Sequence, residues 1–272
     1  MNFKPSFNVE RIQVKNTNPV RGAYFTPDDE IRCYSLAGQD NPVYMPSVTT
    51  YLDATSTAKW LWEWKLKEAQ KQAEMPLELG IELSLPHGHS NIYSYRGELV
   101  HNMIEARLRG EEIPDYSNVM ESVAKEINGF FKLFDEFLTQ YQVKPVSMEF
   151  PLYSESLRIA GRADAVVKLD SDVISGTFLI DWKTTGKLKS QSNIKDYEYQ
   201  IAIYYHLLTT LFPEYLQGEK LDGTIICIAC YNSDKKVNKL RPFRYTDEQM
   251  RDIFNEFMEV RYHRFWDWVK FV

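Results

Sequence analysis

The triplet Asp181-Trp182-Lys183 closes the apolar run LIDWK. In a strand successive side chains alternate faces, so the carboxylate and the ammonium would share one side and the indole the other. In isolation such a pair is ordinarily a surface ion pair. The run before it carries Gly161-Arg162-Ala163-Asp164, and if the two runs pair as neighbouring strands, Asp164 can approach Asp181. Two carboxylates converging beside a lysine repel each other unless a cation sits between them, and oxygen donors of this kind favour Mg²⁺ or Mn²⁺. Such an ion lowers the pKa of a bound water and polarises a phosphoryl oxygen. Lys183 would then orient or deprotonate that water, or offset charge developing on the phosphate. Gln200 and Tyr204, four apart and so on one helical face, could hydrogen-bond the catalytic loop and a phosphate; a capping glutamine and a core tyrosine are the plainer reading. His101 falls in a helical stretch with Glu105 one turn later, and a lone helical histidine is ordinarily a core or surface residue.

These residues need particular elements to position them. The first forty-five residues, rich in Pro, Asn and Asp, read as an irregular or short-stranded arm. Residues 46–272 read as a single domain, helical over 46–141 and sheet-centred over 142–272. Ser47 is a candidate N-cap for a helix after Pro46, with Thr55 or Ser56 capping a second one. Residues 76–94 hold Pro and Gly and read as a loop or helix connection. Tyr95–Arg109 reads as a helix closed by Gly110, and Asn118–Tyr141 as another. VSMEFPLYSE, RIAGRADAVVKLD and GTFLIDWKTT then read as three strands in a meander. A helix at 193–211, strands at 223–231 and 239–245 and a terminal helix from Asp247 complete the order. The fold class is α/β: a mixed central sheet flanked by helices, with an added helical region in the first half.

Taken in this order, the residues resemble the PD-(D/E)XK (restriction-endonuclease-like) nuclease superfamily, in particular its RecB-like exonuclease branch. The signature of that branch is a helical GxxxH, a GxxD strand, a (D/E)xK strand and a QxxxY helix. Here these are Gly97 to His101, Gly161 to Asp164, Asp181 to Lys183 and Gln200 to Tyr204. The segment PSVTTYLDATSTAKWLWEWKLKEA is also similar to the first helical segment of the mitochondrial genome maintenance exonuclease and its bacterial and viral relatives. The resemblance implies that His101, Asp164, Asp181 and the backbone carbonyl of Trp182 bind Mg²⁺ or Mn²⁺, with Lys183 catalytic. Glu149 matches a glutamate often found on the first strand of these enzymes; a strand-surface carboxylate is the alternative. The implied activity is exonucleolytic hydrolysis of DNA phosphodiesters at single-stranded ends or flaps, in replication, recombination or repair. The helical first half would arch over the cleft so that a strand threads through. A structure-specific endonuclease of the same superfamily and an inactive DNA-binding module remain open.

Two basic windows are candidates for the nucleic-acid path. Lys183, Lys187, Lys189 and Lys195 follow the DxK strand, and Lys235, Lys236, Lys239, Arg241 and Arg244 fall in a stretch without an acid. Trp60, with Trp62 and Trp64, offers a surface for stacking on unpaired bases, although alternating tryptophans on a helix cannot all face one way. Ser47 and Thr49 at a helix start could hold a phosphate through hydroxyls and free N–H groups, or Ser47 could simply cap. His87 and His89 form an HxH that lacks companion zinc ligands at suitable spacing. Cys227 and Cys230 form a CxxC inside the apolar run TIICIACY with no second pair, so they read as buried strand residues.

With 272 residues, 44% hydrophobic and 26% charged, the chain has the composition of a globular protein. No run of about eighteen apolar residues is present, so no membrane span is expected. Three cysteines cannot form a disulfide framework. The formal net charge of −6 argues against a protein that coats nucleic acid by bulk charge, while leaving room for a local basic groove. DNA with free ends is the expected partner, alongside replication or recombination proteins. An acidic chain with few cysteines and no signal peptide suits the cytoplasm of a bacterium or phage-infected cell better than a mitochondrion.

Overall fold

The computed structural model describes residues 9–17, 30–56, 91–114, 116, 119 and 121–271. Two sheets are present among them. The first joins β1 (Val9–Lys15), β2 (Glu30–Leu36) and the short β3 (Met45–Pro46) in antiparallel order. The second is five-stranded, ordered β4 (Lys144–Ser154), β5 (Ile159–Asp170), β6 (Ser175–Thr185), β7 (Leu221–Asn232) and β8 (Val237–Tyr245). Its first three strands form the expected antiparallel meander. β6 and β7 are parallel, which requires a crossover, and α4 (Lys195–Thr210) supplies it. β8 returns antiparallel on the edge. This is the mixed sheet expected of the α/β class.

The two faces of that sheet carry separate cores. On one, α3 (Glu121–Gln140) lays down Ile127, Phe130, Leu133, Phe134, Phe137 and Leu138 at helical spacing against Phe178, Ile180 and Trp182 of β6. On the other, α4 packs over Leu179, Ile226 and Ile228. α4 is buried on nearly every side, from Glu198 to Leu208, because α5 (Asp247–Phe257) and α1 (Val48–Thr55) cover its far side. Cys227 and Cys230 are buried free thiols on β7.

Several boundaries differ from expectation. The helix read from Tyr95 begins at Asn91 as α2 (Asn91–Arg109), inside the span read as a connection. Ser56 is the C-cap position of α1, and the second helix expected beyond it lies outside the described residues. The terminal helix from Asp247 breaks into a π turn at Met258–Tyr262 before α6 (His263–Trp268). In the region read as an arm, Ile31 and Cys33 of β2 are buried in the core on the α4 side, and Thr17 bonds the carbonyl of Lys270 near the other end of the chain. No helix among the described residues is long and apolar enough to cross a membrane.

Candidate active site

β5 and β6 pair from Asp170–Ser175 up to Ala165–Ile180, and there the ladder ends. Had it continued by one residue, Asp164 and Asp181 would have stood opposite each other. The strands instead part at the two acids, and Asp164 fills the gap: its Oδ2 accepts from the Trp182 N–H at 2.8 Å. One carboxylate thus satisfies a backbone donor that the ladder leaves unpaired. Alternation along β6 is as expected. Phe178, Ile180 and Trp182 face α3, with Trp182 edge-on to Phe134 and Phe137. Asp181 and Lys183 turn to the α4 side.

Asp181 is 2% exposed, and Lys183 Nζ lies 2.8 Å and 2.7 Å from its two oxygens. Oδ1 accepts the hydrogen bond and Oδ2 is held by the ion pair, so one ammonium serves both oxygens. Burial raises the Asp181 carboxyl; Lys183 opposes that and Asp164 adds to it. Burial lowers Lys183, but Asp181 and Asp164 outweigh it and hold the ammonium above its ordinary value. One ammonium therefore faces two carboxylates, and the site is short of positive charge.

His101 reaches this point from α2. Its Nε2 is 3.0 Å from the Trp182 carbonyl oxygen, and its Nδ1 is 3.7 Å from Asp164 Oδ1. Gly97, one turn earlier, packs by Thr184 of β6, where an added methyl would meet Oγ1 at an ordinary 3.7 Å. Glu149 completes the group from β4. It lies between the ladder pairs Met148–Ala165 and Phe150–Ala163 and has φ 51, a left-handed conformation inside a strand. For a residue with a Cβ that conformation costs about 1 kcal/mol or more, and such costs concentrate at functional sites. Arg162 Nε holds Glu149 Oε2 at 2.5 Å. Burial pushes the Glu149 carboxyl up to about 7, Asp164 pushes the same way, and Arg162 and His101 hold it back.

One ligand atom each from His101, Glu149 and Asp164 lie within 4.8 Å of one another. The His101 imidazole and the Trp182 carbonyl oxygen, in hydrogen-bond contact at 3.0 Å, bring two further donors to the same point. Imidazole, carboxylate and carbonyl donors together with a charge deficit fit a divalent cation of the Mg²⁺ or Mn²⁺ type.

Gln200 and Tyr204 are both buried, with Gln200 Nε2 at 3.5 Å from the tyrosine oxygen. The Tyr204 ring fills the space that a side chain at Gly161 would take. Ser47 caps α1 by accepting from the Thr50 N–H at 3.1 Å. Arg32 Nη2 also donates to Ser47 Oγ at 2.7 Å and bonds Thr49 Oγ1, so both hydroxyls are already engaged. Lys187 is exposed and Lys189 half-buried on the loop after β6. Trp60, Trp62, Trp64, His87 and His89 lie outside the described residues.

Three residues of this neighbourhood escape sequence reasoning: Arg162, Arg32 and Tyr197, whose ring centre is 5.5 Å from Lys183 Nζ. Tyr197 precedes Gln200 by three and Tyr204 by seven, so helical spacing contained its signal. Arg162 stands inside the GxxD motif, but its pairing with Glu149 depends on the β4–β5 register. Nothing in the sequence links Arg32 to Ser47.

A family model described as the PD-(D/E)XK nuclease superfamily matches residues 77–267, more than two thirds of the chain. Among solved structures, a protein from Eubacterium rectale provisionally described as an exonuclease is 14% identical, with 82% of each chain covered and a TM-score of 0.42. The protein SSO0001 is 13% identical over 75% of this chain and 87% of its own, with a TM-score of 0.28. No curated protein matches the sequence.

Proposed function

Because this chain belongs to the PD-(D/E)XK nuclease superfamily, we propose that it is a divalent-metal-dependent deoxyribonuclease of the RecB-like exonuclease branch, degrading DNA from single-stranded ends or flaps. The observation that carries this reading is the convergence of His101, Glu149 and Asp164 within 4.8 Å beside the Asp181–Lys183 pair, where the β5–β6 ladder parts.

His101, Asp164, Asp181 and the Trp182 carbonyl would hold the cation, with Glu149 close enough to join them. Bound there, the cation supplies Lewis-acid polarisation of a phosphoryl oxygen and a more acidic water. Lys183 contributes a fixed positive charge. Asp181 aims it from a site of low water content, where a preorganised charge offsets the negative charge that builds on the phosphate as water adds and a P–O bond breaks. Gln200 and Tyr204 act as positioning residues: buried behind Gly161, they set where β5 carries Asp164. Arg162 positions Glu149 in the same manner.

The test is a substrate panel of end-labelled linear single-stranded DNA, linear duplex and circular single-stranded DNA with Mg²⁺, Mn²⁺ or EDTA. The proposal expects metal-dependent shortening of linear single strands and intact circles. Cleaved circles would make the protein an endonuclease, and binding without cleavage of any substrate would make it an inactive module.

A further inference from the structure

Resting on the reading of the protein as a nuclease, we propose that the sugar–phosphate backbone of the substrate strand, beyond the scissile phosphate, runs over a basic track formed by Lys187 and Lys189 on the loop after β6 and by Lys239 and Arg241 on β8. The two basic windows of the sequence are far apart in the chain, yet sheet register brings part of each together. Lys183 stands opposite Ile228, and Ile228 opposite Arg241. Thr185, Cys230 and Lys239 form the next such row. Residues in one row project to one face, and strands are about 4.8 Å apart, so the Arg241 backbone lies about 10 Å from that of Lys183 on the side where Lys183 points.

The loop closes the interval. Arg241 Nη1 donates to the Lys189 carbonyl, which ties the loop to β8. Burial raises the Cys230 thiol, and Arg241, Lys189 and Lys239 all pull against that rise, in keeping with their shared neighbourhood. None of the four basic residues joins an ion pair among the described residues. In a chain of net charge −6, four cations without a carboxylate partner, starting at the catalytic lysine, form a site for a polyanion.

Arg244 supplies the contrast. It belongs to the same sequence window, but it pairs with Ile225 and its guanidinium lies 4.9 Å over the ring of Phe178, on the α3 side. The structure therefore divides one run of basic residues into a part facing the site and a part facing away. Lysines on an edge strand also discourage pairing with other chains, and that role alone would leave DNA binding unaffected.

The experiment measures the affinity of a labelled single-stranded oligonucleotide in EDTA across a range of salt, for the wild type, a Lys187→Gln/Lys239→Gln double variant and Arg244→Gln. Among the described residues neither lysine's side chain makes a hydrogen bond or ion pair, and a melting curve for each variant checks the fold. For single strands each lost phosphate contact removes about 0.7 from the slope of log affinity against log salt. The double variant is expected to bind several-fold more weakly with a slope reduced by about 1.4, while Arg244→Gln keeps the wild-type slope. An unchanged slope in the double variant, or an equal loss in Arg244→Gln, would overturn the track and leave the nuclease reading standing. A wild type that neither binds nor cleaves DNA would overturn both.

Discussion

The phenol ring of Tyr204 lies against the bare α-carbon of Gly161: a methyl added there would stand 2.6 Å from Cε1 and from the hydroxyl oxygen. The glycine of one motif and the tyrosine of another, forty-three residues apart, are a single packing unit. Alanine at Gly161 must displace a buried ring, and overpacking of this kind costs about 1–3 kcal/mol. At Gly97 the nearest atom to an added methyl is at an ordinary 3.7 Å, and alanine is a better helix former than glycine. Gly161→Ala is therefore expected to lower the melting temperature by several degrees, at about 2–4 °C per kcal/mol, while Gly97→Ala leaves it unchanged or raises it. Equal effects would show that the two glycines are not distinguished by packing.

The charge deficit at the site makes cation binding a stabilising event. At a concentration 100-fold above the dissociation constant, a ligand bound only by the native state adds about 2.7 kcal/mol. Mn²⁺ is expected to raise the melting temperature, and to do so at lower concentration than Mg²⁺, because the donor set includes an imidazole and Mg²⁺ takes oxygen donors. Asp164→Asn and His101→Ala should each remove most of that increase, read by calorimetry with and without metal.

Lys183→Ala should harm folding as well as activity. It strips from Asp181, which is 2% exposed, the ammonium it pairs with, and breaking one side of a buried pair costs about 3–5 kcal/mol. Denaturant titration above neutral pH should register a loss of that order; a loss under about 1 kcal/mol would mean that Asp181 takes up a proton or water once the ammonium is gone.

Burial pushes Glu256 of α5 upward, but hydrogen bonds from Lys195 at 2.6 Å and Tyr199 at 2.8 Å outweigh it and hold the carboxyl below its ordinary value. A depressed carboxyl stabilises the fold above its unfolded pKa, and the benefit disappears as pH falls through the folded value. The side chain is 44% exposed, so the effect is small. The melting temperature of the wild type should exceed that of Glu256→Gln at neutral pH, and the gap should close in acid. A gap that widens in acid would reverse the sign and contradict the assignment.

The cysteines give an independent check on the core. Burial pushes the Cys33 thiol up to about 12, and it also raises Cys227 and Cys230. Since the thiolate is the reactive form, all three should resist a thiol reagent at neutral pH in the native protein and react together in denaturant.

The β-rich half was legible in the sequence because its signals are local. Short β-branched runs between turn residues marked β4 to β8, and alternation along LIDWK correctly sent Trp182 to one side and Asp181 with Lys183 to the other. Facts that depend on register were not legible. The parting of β5 and β6 at Asp164, the left-handed Glu149 and its hold by Arg162 require knowing which residues stand opposite, and a one-residue shift reverses every face. The same blindness merged Arg241 and Arg244, which the sheet puts on opposite sides. The start of α2 at Asn91 was missed because the preceding Pro and Gly outweighed a weak helical pattern, and tertiary packing decides such cases.

The most direct test of a metal-dependent site built around Asp164, Asp181 and Lys183 is the rate of nucleotide release from linear single-stranded DNA by the wild type, Asp164→Asn and Lys183→Ala, each with Mn²⁺ or EDTA. Release is expected from the wild type with Mn²⁺, none with EDTA, and a loss of at least about a hundredfold in either variant, as is usual when a charge aimed at the transition state is removed. Release at the wild-type rate by both folded variants, or undiminished release in EDTA, would contradict it.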